Sequence, residues 1–260
     1  CNSCRSDDGS SSGDEWFAAL SSGTRLHAVV DGFPFVWPTL YVGARTAVRM
    51  PDGGELSLTT LSIAPRVFSL EDVADAEERA AIMRIAAPAV RASVTFEKGK
   101  MVRNAQARTS DTGWLQLPPE GAQGDEAMLR AVWLRLAAAV RMSPSITENM
   151  QALSYGLTQH YHYHTDTGGS PSIAGRAITA LLYLNDDFTG GETSFALAGS
   201  DTPMFNVHKV RQDFDDCQTE RGLAVKPKAG SAVIFYNLQP NSNEKDYFTW
   251  HCSADVTGPL

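Results

Sequence analysis

From Gln151 onward the chain alternates short runs of β-forming residues with turn residues such as Gly, Pro, Asn and Asp. Seven such runs are present: Gln151–Leu157, Gln159–Thr165, Ala177–Leu184, Thr193–Leu197, Leu223–Lys226, Ser231–Asn237 and Tyr247–Cys252. Each run has the length of one strand, and the turn residues between them favour short connections. Many short strands of this kind predict a sandwich or a barrel.

Two helices are predicted before these strands. Ser69 and Asp72 have the spacing of a helix cap, and apolar residues at helical spacing continue to about Ala87. A second helix is predicted from roughly Asp125 to Met142, where a Ser-Pro pair follows. Two helices and a set of short strands together predict an α+β fold.

Three segments are predicted along the chain. Residues 1–15 are rich in Ser, Gly and Asp and hold almost nothing to bury, which predicts a disordered linker. Residues 16–63 contain short apolar runs broken by Pro and Gly, which predicts a β-rich extension. Residues 64–260 form the main domain. The chain begins at Cys1 without a signal or targeting pattern, so we interpret it as a fragment that lacks the N-terminal part, including any anchor.

Composition argues against two classes of partner. With 22 Lys+Arg and 30 Asp+Glu the net charge is −8, and the basic residues are scattered, so we expect no nucleic acid partner. Charged or turn residues interrupt every apolar run before it reaches the ~18–20 residues of a membrane helix. We therefore expect membrane attachment only through a segment outside these residues.

The run QHYHYHTD places His160, His162 and His164 before Asp166. Residues two apart on a strand point to the same face, so His164 and Asp166 can converge on one ion. His251, 87 residues after His164, is the natural third ligand. Two histidines and one carboxylate are typical of non-haem Fe(II) oxygenases. By spacing alone, a surface strand or an adventitious metal-binding ladder fits equally well, and His160 or His162 could be a ligand or a simple neighbour.

Several further motifs accompany this pattern in a fixed order. They are Tyr155, His164–Asp166, YLND at Tyr183–Asp186, GGET at Gly190–Thr193 and Val225–Asn237, with Pro65–Asp72 and RTS at Arg108–Ser110 upstream. Over roughly residues 64–260 this order resembles the prolyl 4-hydroxylase-like branch of the Fe(II)/2-oxoglutarate oxygenases. The resemblance implies a double-stranded β-helix, or jelly roll, with helices packed on one side. It also implies His164, Asp166 and His251 as the catalytic iron ligands.

The resemblance further implies that 2-oxoglutarate chelates the iron through its 2-oxo acid end. A lysine and hydroxyl donors then hold its far carboxylate, and Tyr155 and Thr193 match the donor positions. The family's lysine lies ten residues after the distal histidine, which is position 261 here, so we expect it directly after Leu260. Lys226 and Lys228 fit a solvated strand end better than a replacement.

Tyr161 and Arg176 match positions that the family uses around the substrate mouth. Core packing of Tyr161 and a salt-bridged or exposed strand start at Arg176 are the alternatives. Tyr163 stands where relatives commonly carry proline or a small residue, so the resemblance does not predict the shape of the substrate groove.

The four cysteines are too few for a disulfide scaffold. Cys217 and Cys252 resemble a pair found in secretory relatives, as a disulfide or as free buried thiols. Cys1 and Cys4 lack the partners of a zinc site, so a solvated tail or a local disulfide is the simpler interpretation.

The resemblance predicts an enzyme that hydroxylates peptidyl proline, similar to procollagen-proline 4-dioxygenases, while 2-oxoglutarate is decarboxylated to succinate. Ascorbate is expected to rescue oxidised iron. A 2-oxoglutarate oxygenase acting on another side chain or a small molecule, or an inactive jelly-roll peptide-binding module, remains open. The endoplasmic reticulum or secretory pathway is the expected compartment, and the sequence decides neither the substrate protein nor a partner subunit.

Overall fold

The structure, a computed structural model, describes residues 34–93, 95–97, 100–102, 108–167, 175–200, 217–240 and 242–259. These residues all fall within one compact unit of the chain. The predicted linker at 1–15, with Cys1 and Cys4, lies outside the described residues, as does the first part of the predicted extension.

Antiparallel strands dominate the described part of the chain. In chain order the elements are β1 Arg45–Arg49, β2 Glu55–Ser62, β3 Val67–Leu70, α1 Ala76–Ala86, β4 Arg91–Ala92, β5 Thr95–Glu97, β6 Lys100–Val102, β7 Asp111–Leu115, α2 Asp125–Ala139, β8 Met150–Ser154, β9 Tyr161–His164, β10 Ile178–Leu182, β11 Thr193–Phe195, β12 Leu223–Val225, β13 Ala232–Tyr236 and β14 His251–Ser253. Short 3-10 helices are formed by Pro144–Ile146 and Tyr247–Thr249.

The last six strands wind as a jelly roll. β11 pairs with β12, β10 pairs with β13, and β9 pairs with β14, always antiparallel, so that the three pairs nest inside one another along the chain. β10 and β13 belong to a sheet of order β1-β2-β3-β13-β10, whereas the other four form a sheet of order β12-β11-β14-β9. Nested strand pairs that alternate between two sheets are the jelly-roll topology. The predicted α+β class and the predicted jelly-roll core are therefore confirmed.

Alternation along β13 explains how this sheet is covered on both faces. Val233 and Phe235 pack with Phe195 of the opposite sheet, with the rings of Phe195 and Phe235 5.1 Å apart. Ala232 and Ile234 point the other way, into a core shared with both helices. Because side chains alternate along a strand, one five-residue run contributes to two cores.

The predicted boundary at residue 63/64 falls between paired strands. β2 pairs with β3 on the other side of that boundary, and β1 extends the same sheet. The described part of the predicted extension is therefore β-rich and continuous with the main sheet, while the domain division itself stays a prediction.

The start of the first helix differs from the prediction. Ser69 lies in β3, and α1 begins at Ala76 after the N-cap Asp75. The Asp75 side chain accepts from the Glu78 amide, and the Glu78 carboxylate accepts from the Asp75 amide, which completes a capping box. Strand pairing of β3 with β2 and β13 outweighs the local cap signal at Ser69.

The second helix, α2, begins at Asp125 as predicted and ends three residues before Met142. Arg135 of α2 forms a bidentate ion pair with Glu78 of α1, with distances of 2.9 and 3.0 Å. Together the helices cover one face of the five-stranded sheet. No helix in the described ranges is long and apolar enough to cross a membrane.

The predicted run Tyr247–Cys252 divides into two elements. Asp246 caps the 3-10 helix Tyr247–Thr249 by accepting from the Phe248 amide, and β14 begins only at His251. The short strands β4 to β7 lie in a stretch for which the sequence predicted no element.

Candidate active site

His164, Asp166 and His251 come together at the four-stranded sheet β12-β11-β14-β9. His164 ends β9, His251 starts β14, and the two residues are direct partners in the strand register. Oδ1 of Asp166 lies 3.5 Å from Nε2 of His164 and 3.9 Å from Nε2 of His251. One ligand atom from each residue lies within 4.8 Å of the others, so the triad forms a group that can hold a metal ion.

Backbone carbonyls set the tautomer of both histidines. Nδ1 of His164 lies 2.8 Å from the His162 carbonyl oxygen, and Nδ1 of His251 lies 2.8 Å from the Thr249 carbonyl oxygen. A carbonyl can only accept, so each Nδ1 carries the proton. In the neutral ring with this tautomer, each Nε2 keeps its lone pair and faces Asp166, which is the form that binds a metal.

The charge states also fit a cation. Burial lowers the pKa of His251 to about 4, so this ring is neutral near pH 7. Burial by itself raises the pKa of Asp166, but His251, His164 and a hydrogen bond from Thr179 outweigh it and hold that pKa well below its usual range. Two imidazoles and one carboxylate match the ligand set of non-haem Fe(II) oxygenases.

The other two histidines of the run serve different contacts. Nδ1 of His160 lies 2.8 Å from Oδ1 of Asp255, and the ring of His162 lies edge-on to that of His160. Neither belongs to the metal-binding group found among the described residues.

A cavity of about 640 Å³ has Ser253, two residues after His251, in its lining, and none of the three triad residues is part of that lining. Its polar lining includes Tyr155, Tyr183, Thr193 and Ser253, together with Gln151, Ser154 and Asn185, and the remainder comes mainly from apolar residues of α1, β8 and β10. The Tyr155 hydroxyl is buried, has Ser110 and Ser253 as weak hydrogen-bond neighbours, and makes no close hydrogen bond within the described part of the chain. Thr193 is also buried and accepts from the Tyr183 hydroxyl at 2.8 Å. Both predicted cosubstrate residues thus face one cavity.

Gly190 explains why the GGET motif begins with glycine. Its φ is +79°, and a Cβ atom there would lie 2.1 Å from the carbonyl oxygen of Asp255. Only glycine allows the backbone to pass that close to the segment after β14. The turn then delivers Thr193 to β11, opposite Ser253 of β14.

No lysine or arginine lines the cavity among the described residues. Lys226 is exposed, and Lys228 lies 3.3 Å from Glu71 at the surface. Lys226 and Lys228 therefore lie at a solvated strand end, as predicted, and do not face the cavity. The lysine expected at position 261 stays a prediction.

The two predicted substrate residues make different contacts. The ring of Tyr161 stacks on that of His164, with 3.7 Å between the ring centroids. The guanidinium of the buried Arg108 lies 4.5 Å from the centroid of the same Tyr161 ring. Arg176 forms a bidentate ion pair with Glu148, at 2.5 and 2.7 Å, and is therefore salt-bridged as the alternative reading held. Their roles toward a substrate stay predictions.

Cys217 and Cys252 form a disulfide bond. Cys252 directly follows the ligand His251 and is fully buried. The bond therefore ties the chain before β12 to the strand that carries one ligand.

Two residues that the sequence analysis did not single out support the triad, one by contacting Asp166 and the other by contacting the first. The Thr179 hydroxyl donates to Oδ2 of Asp166 at 2.6 Å, and Asn237 donates to Thr179 at 2.9 Å. The one available signal was a polar residue inside an apolar strand, because Thr179 interrupts the run Ala177–Leu184.

Comparison with known proteins gives the class first. Residues 150–259, which contain the whole triad, match the family model of the 2OG-Fe(II) oxygenase superfamily. Prolyl 4-hydroxylase 13 of Arabidopsis thaliana is 32% identical over 203 residues, covering 75% of this chain and 68% of the relative. The transmembrane prolyl 4-hydroxylase of Homo sapiens is 31% identical over 191 residues, covering 62% and 36%.

Among solved structures, the viral collagen prolyl hydroxylase of Paramecium Bursaria Chlorella virus-1 has a TM-score of 0.46 and 17% identity, covering 74% of this chain and 90% of that one. The sequence similarities define the position of the chain more narrowly. It belongs to the prolyl 4-hydroxylase family of the 2OG-Fe(II) oxygenases, as its motifs predicted, and it is a 2-oxoglutarate-dependent dioxygenase by class.

Proposed function

We propose that this protein hydroxylates proline residues in a peptide or protein, with Fe(II), 2-oxoglutarate and O₂. The observation that carries the proposal is the His164, Asp166 and His251 group, together with a cavity whose lining includes Ser253, two residues after His251, and Tyr155 with its buried hydroxyl. The names of its relatives, which are prolyl 4-hydroxylases, support proline as the target.

The cosubstrate 2-oxoglutarate takes up the second oxygen atom of O₂ and so balances the overall reaction. One atom of O₂ is inserted into a C–H bond of the proline ring, and the other enters succinate as 2-oxoglutarate loses CO₂. When bound, the iron supplies the oxidising chemistry that an unactivated C–H bond requires. His164, Asp166 and His251 would hold it, and the remaining residues have only to bind, orient and exclude water.

Tyr155 and Thr193 are the residues we assign to the far carboxylate of 2-oxoglutarate. The Tyr155 hydroxyl makes no close hydrogen bond within the described part of the chain, and a carboxylate is the acceptor that would satisfy it most strongly. Burial raises the pKa of Tyr155, so the hydroxyl keeps its proton and can donate near neutral pH. The largely apolar walls of the cavity exclude water around this contact.

Tyr161 and Arg176 are the residues we assign to the peptide. Tyr161 stacks directly on the ligand His164, so a group bound against its edge is close to the metal site. Arg176 is held in a fixed direction by Glu148, which lowers the entropy cost of a further hydrogen bond to a peptide carbonyl.

Ascorbate and a secretory compartment complete the proposal. Ascorbate would return iron to Fe(II) after turnover without substrate. The Cys217–Cys252 disulfide supports an oxidising compartment such as the endoplasmic reticulum, because such bonds are rare in the cytosol.

The test measures succinate and hydroxyproline together. Protein loaded with Fe(II) under argon is given 2-oxoglutarate, ascorbate, O₂ and a proline-rich peptide, beside the same mixture without peptide. We expect equal amounts of succinate and hydroxyproline in wild type and in His162→Ala, whose ring is outside the metal group, and none in His164→Ala. Metal-bound protein that forms no hydroxyproline would overturn proline as the substrate and favour another side chain or a small molecule.

A further inference from the structure

A two-step hydrogen-bond chain holds the carboxylate of Asp166 from the larger sheet. Thr179 on β10 donates its hydroxyl to Oδ2 of Asp166 at 2.6 Å. Asn237, directly after β13, donates Nδ2 to the oxygen of Thr179 at 2.9 Å. Asn237 is fully buried, and its backbone amide donates to the Ala177 carbonyl at 2.8 Å. The two residues of this hydrogen-bond chain are therefore held by β10 and β13, which pair with each other.

The chemistry of the groups gives each hydrogen bond one direction. An ionised carboxylate only accepts, so the Thr179 hydroxyl must donate its single proton to Asp166. The Thr179 oxygen can then only accept, which requires the nitrogen of the Asn237 amide to face it. Neither side chain can turn without losing a buried hydrogen bond, and this loss costs more than an exposed one.

The result is a difference between the two oxygens of Asp166. Oδ2 is engaged by Thr179, whereas Oδ1 faces Nε2 of His164 and of His251. We propose that Thr179 and Asn237 are positioning residues that make Asp166 a one-oxygen ligand, with Oδ2 held by the protein and Oδ1 turned toward the two histidines. This inference rests on the proposed function, because it assigns a role toward the iron.

The test uses hydroxyl removal with matched controls and a metal that does not react with O₂. Thr179→Val removes the hydroxyl at nearly constant shape, and Thr179→Ser keeps it. Thr60→Val makes the same change at a buried threonine on β2 of the same sheet. Co(II) binding is followed by its visible absorption. We expect the Kd of Thr179→Val to rise by about 10- to 100-fold, as for other residues that orient metal ligands.

The controls give the opposite expectation. Thr179→Ser and Thr60→Val should bind Co(II) with wild-type affinity. Equal affinity in all four proteins would overturn the inference alone, whereas a wild type that binds no Co(II) would overturn the proposed function and the inference with it. Circular dichroism checks each fold, and Thr179→Ala replaces the valine variant if that protein is unfolded.

A double-mutant cycle tests the part assigned to Asn237. Asn237→Leu removes the donor at similar volume, and we expect a smaller rise in Kd than for Thr179→Val, because Thr179 can still reach Asp166. Since Asn237 acts through Thr179, adding Asn237→Leu to Thr179→Val should raise Kd no further. Additive losses would show that Asn237 acts independently and would overturn the two-step chain.

Discussion

At the scale of single residues, two buried tyrosines differ in what their hydroxyls touch. The Tyr236 hydroxyl accepts from the Trp37 amide at 3.1 Å, and Tyr236 does not line the cavity that Tyr155 lines. The Tyr155 hydroxyl makes no close hydrogen bond among the described residues and has only Ser110 and Ser253 as weak neighbours. An unsatisfied buried donor destabilises the fold by about 1–3 kcal/mol, so Tyr155 is more costly for the free protein than phenylalanine would be.

Replacing these hydroxyls should separate stability from binding. We expect Tyr155→Phe to leave the free energy of unfolding unchanged or raise it by about 1 kcal/mol, while KM for 2-oxoglutarate rises about tenfold. Tyr236→Phe should lose about 1 kcal/mol or more, because the Trp37 amide is left unpaired, and keep its KM. Urea unfolding and steady-state succinate formation measure both quantities. A destabilised Tyr155→Phe with normal KM would contradict this assignment.

At the scale of elements, the strength of a cap depends on where the chain places it. Asp75 caps α1 and shares a capping box with Glu78, which also pairs with Arg135 of α2. Ser69, which has the same kind of sequence signal, lies within a strand. The local sequence pattern is similar at both residues, but only Asp75 directly precedes the free amides at the start of a helix.

Alanine substitution compares the two positions directly. Asp75→Ala should lower the free energy of unfolding by about 1 kcal/mol, since an N-cap side chain is lost. Ser69→Ala should change it by less than about 0.5 kcal/mol. Chemical denaturation at pH 7 gives both values, and equal effects of the two substitutions would contradict the capping box as the source of stability.

The disulfide joins two further elements, the segment leading into β12 and the ligand strand β14. Its cysteines are 35 residues apart. Closing a loop of that length in the unfolded chain corresponds to about 4 kcal/mol of stabilisation at most, and measured effects are often smaller. The double variant Cys217→Ser, Cys252→Ser should therefore unfold with about 2–4 kcal/mol less free energy.

The matched measurement uses the wild type with and without a reducing agent. Reduced wild type should behave like the double variant, and the variant should not respond to reductant. A reductant effect of equal size in the variant would mean that the bond is not what reductant acts on.

At the scale of the whole molecule, the metal site joins parts that are distant in sequence. His164 ends β9 and Asp166 follows it, whereas His251 begins β14, and only the folded jelly roll brings their ligand atoms within 4.8 Å of one another. The unfolded chain therefore cannot offer the same set of ligands. Binding to the native state alone must stabilise it.

Metal and cosubstrate should thus raise the melting temperature. With Mn(II) and 2-oxoglutarate each at about 100 times its Kd, we expect a rise of about 10–20 °C in Tm over protein treated with a chelator. The rise should be absent in Asp166→Ala, which lacks the carboxylate ligand. Differential scanning fluorimetry is sufficient, and an equal rise in Asp166→Ala would place the bound metal elsewhere.

The sequence alone determined the periodic elements and the ordered motifs. All seven predicted runs overlap a strand, the last of them only at its end, and the sequence motifs already contain His164, Asp166 and His251. Alternation along a strand and the spacing of turn residues are local properties, so they can be read from neighbouring residues. Family membership followed from the same ordered motifs.

Tertiary structure alone decided which of several local signals is used. It placed the cap at Asp75 instead of Ser69, turned Tyr247–Thr249 into a 3-10 helix, and linked Cys217 to Cys252. It also brought Thr179 and Asn237 to the carboxylate of Asp166. These outcomes depend on contacts between residues far apart in the chain, where strand pairing and burial outweigh local preference, and no short window of sequence contains both partners.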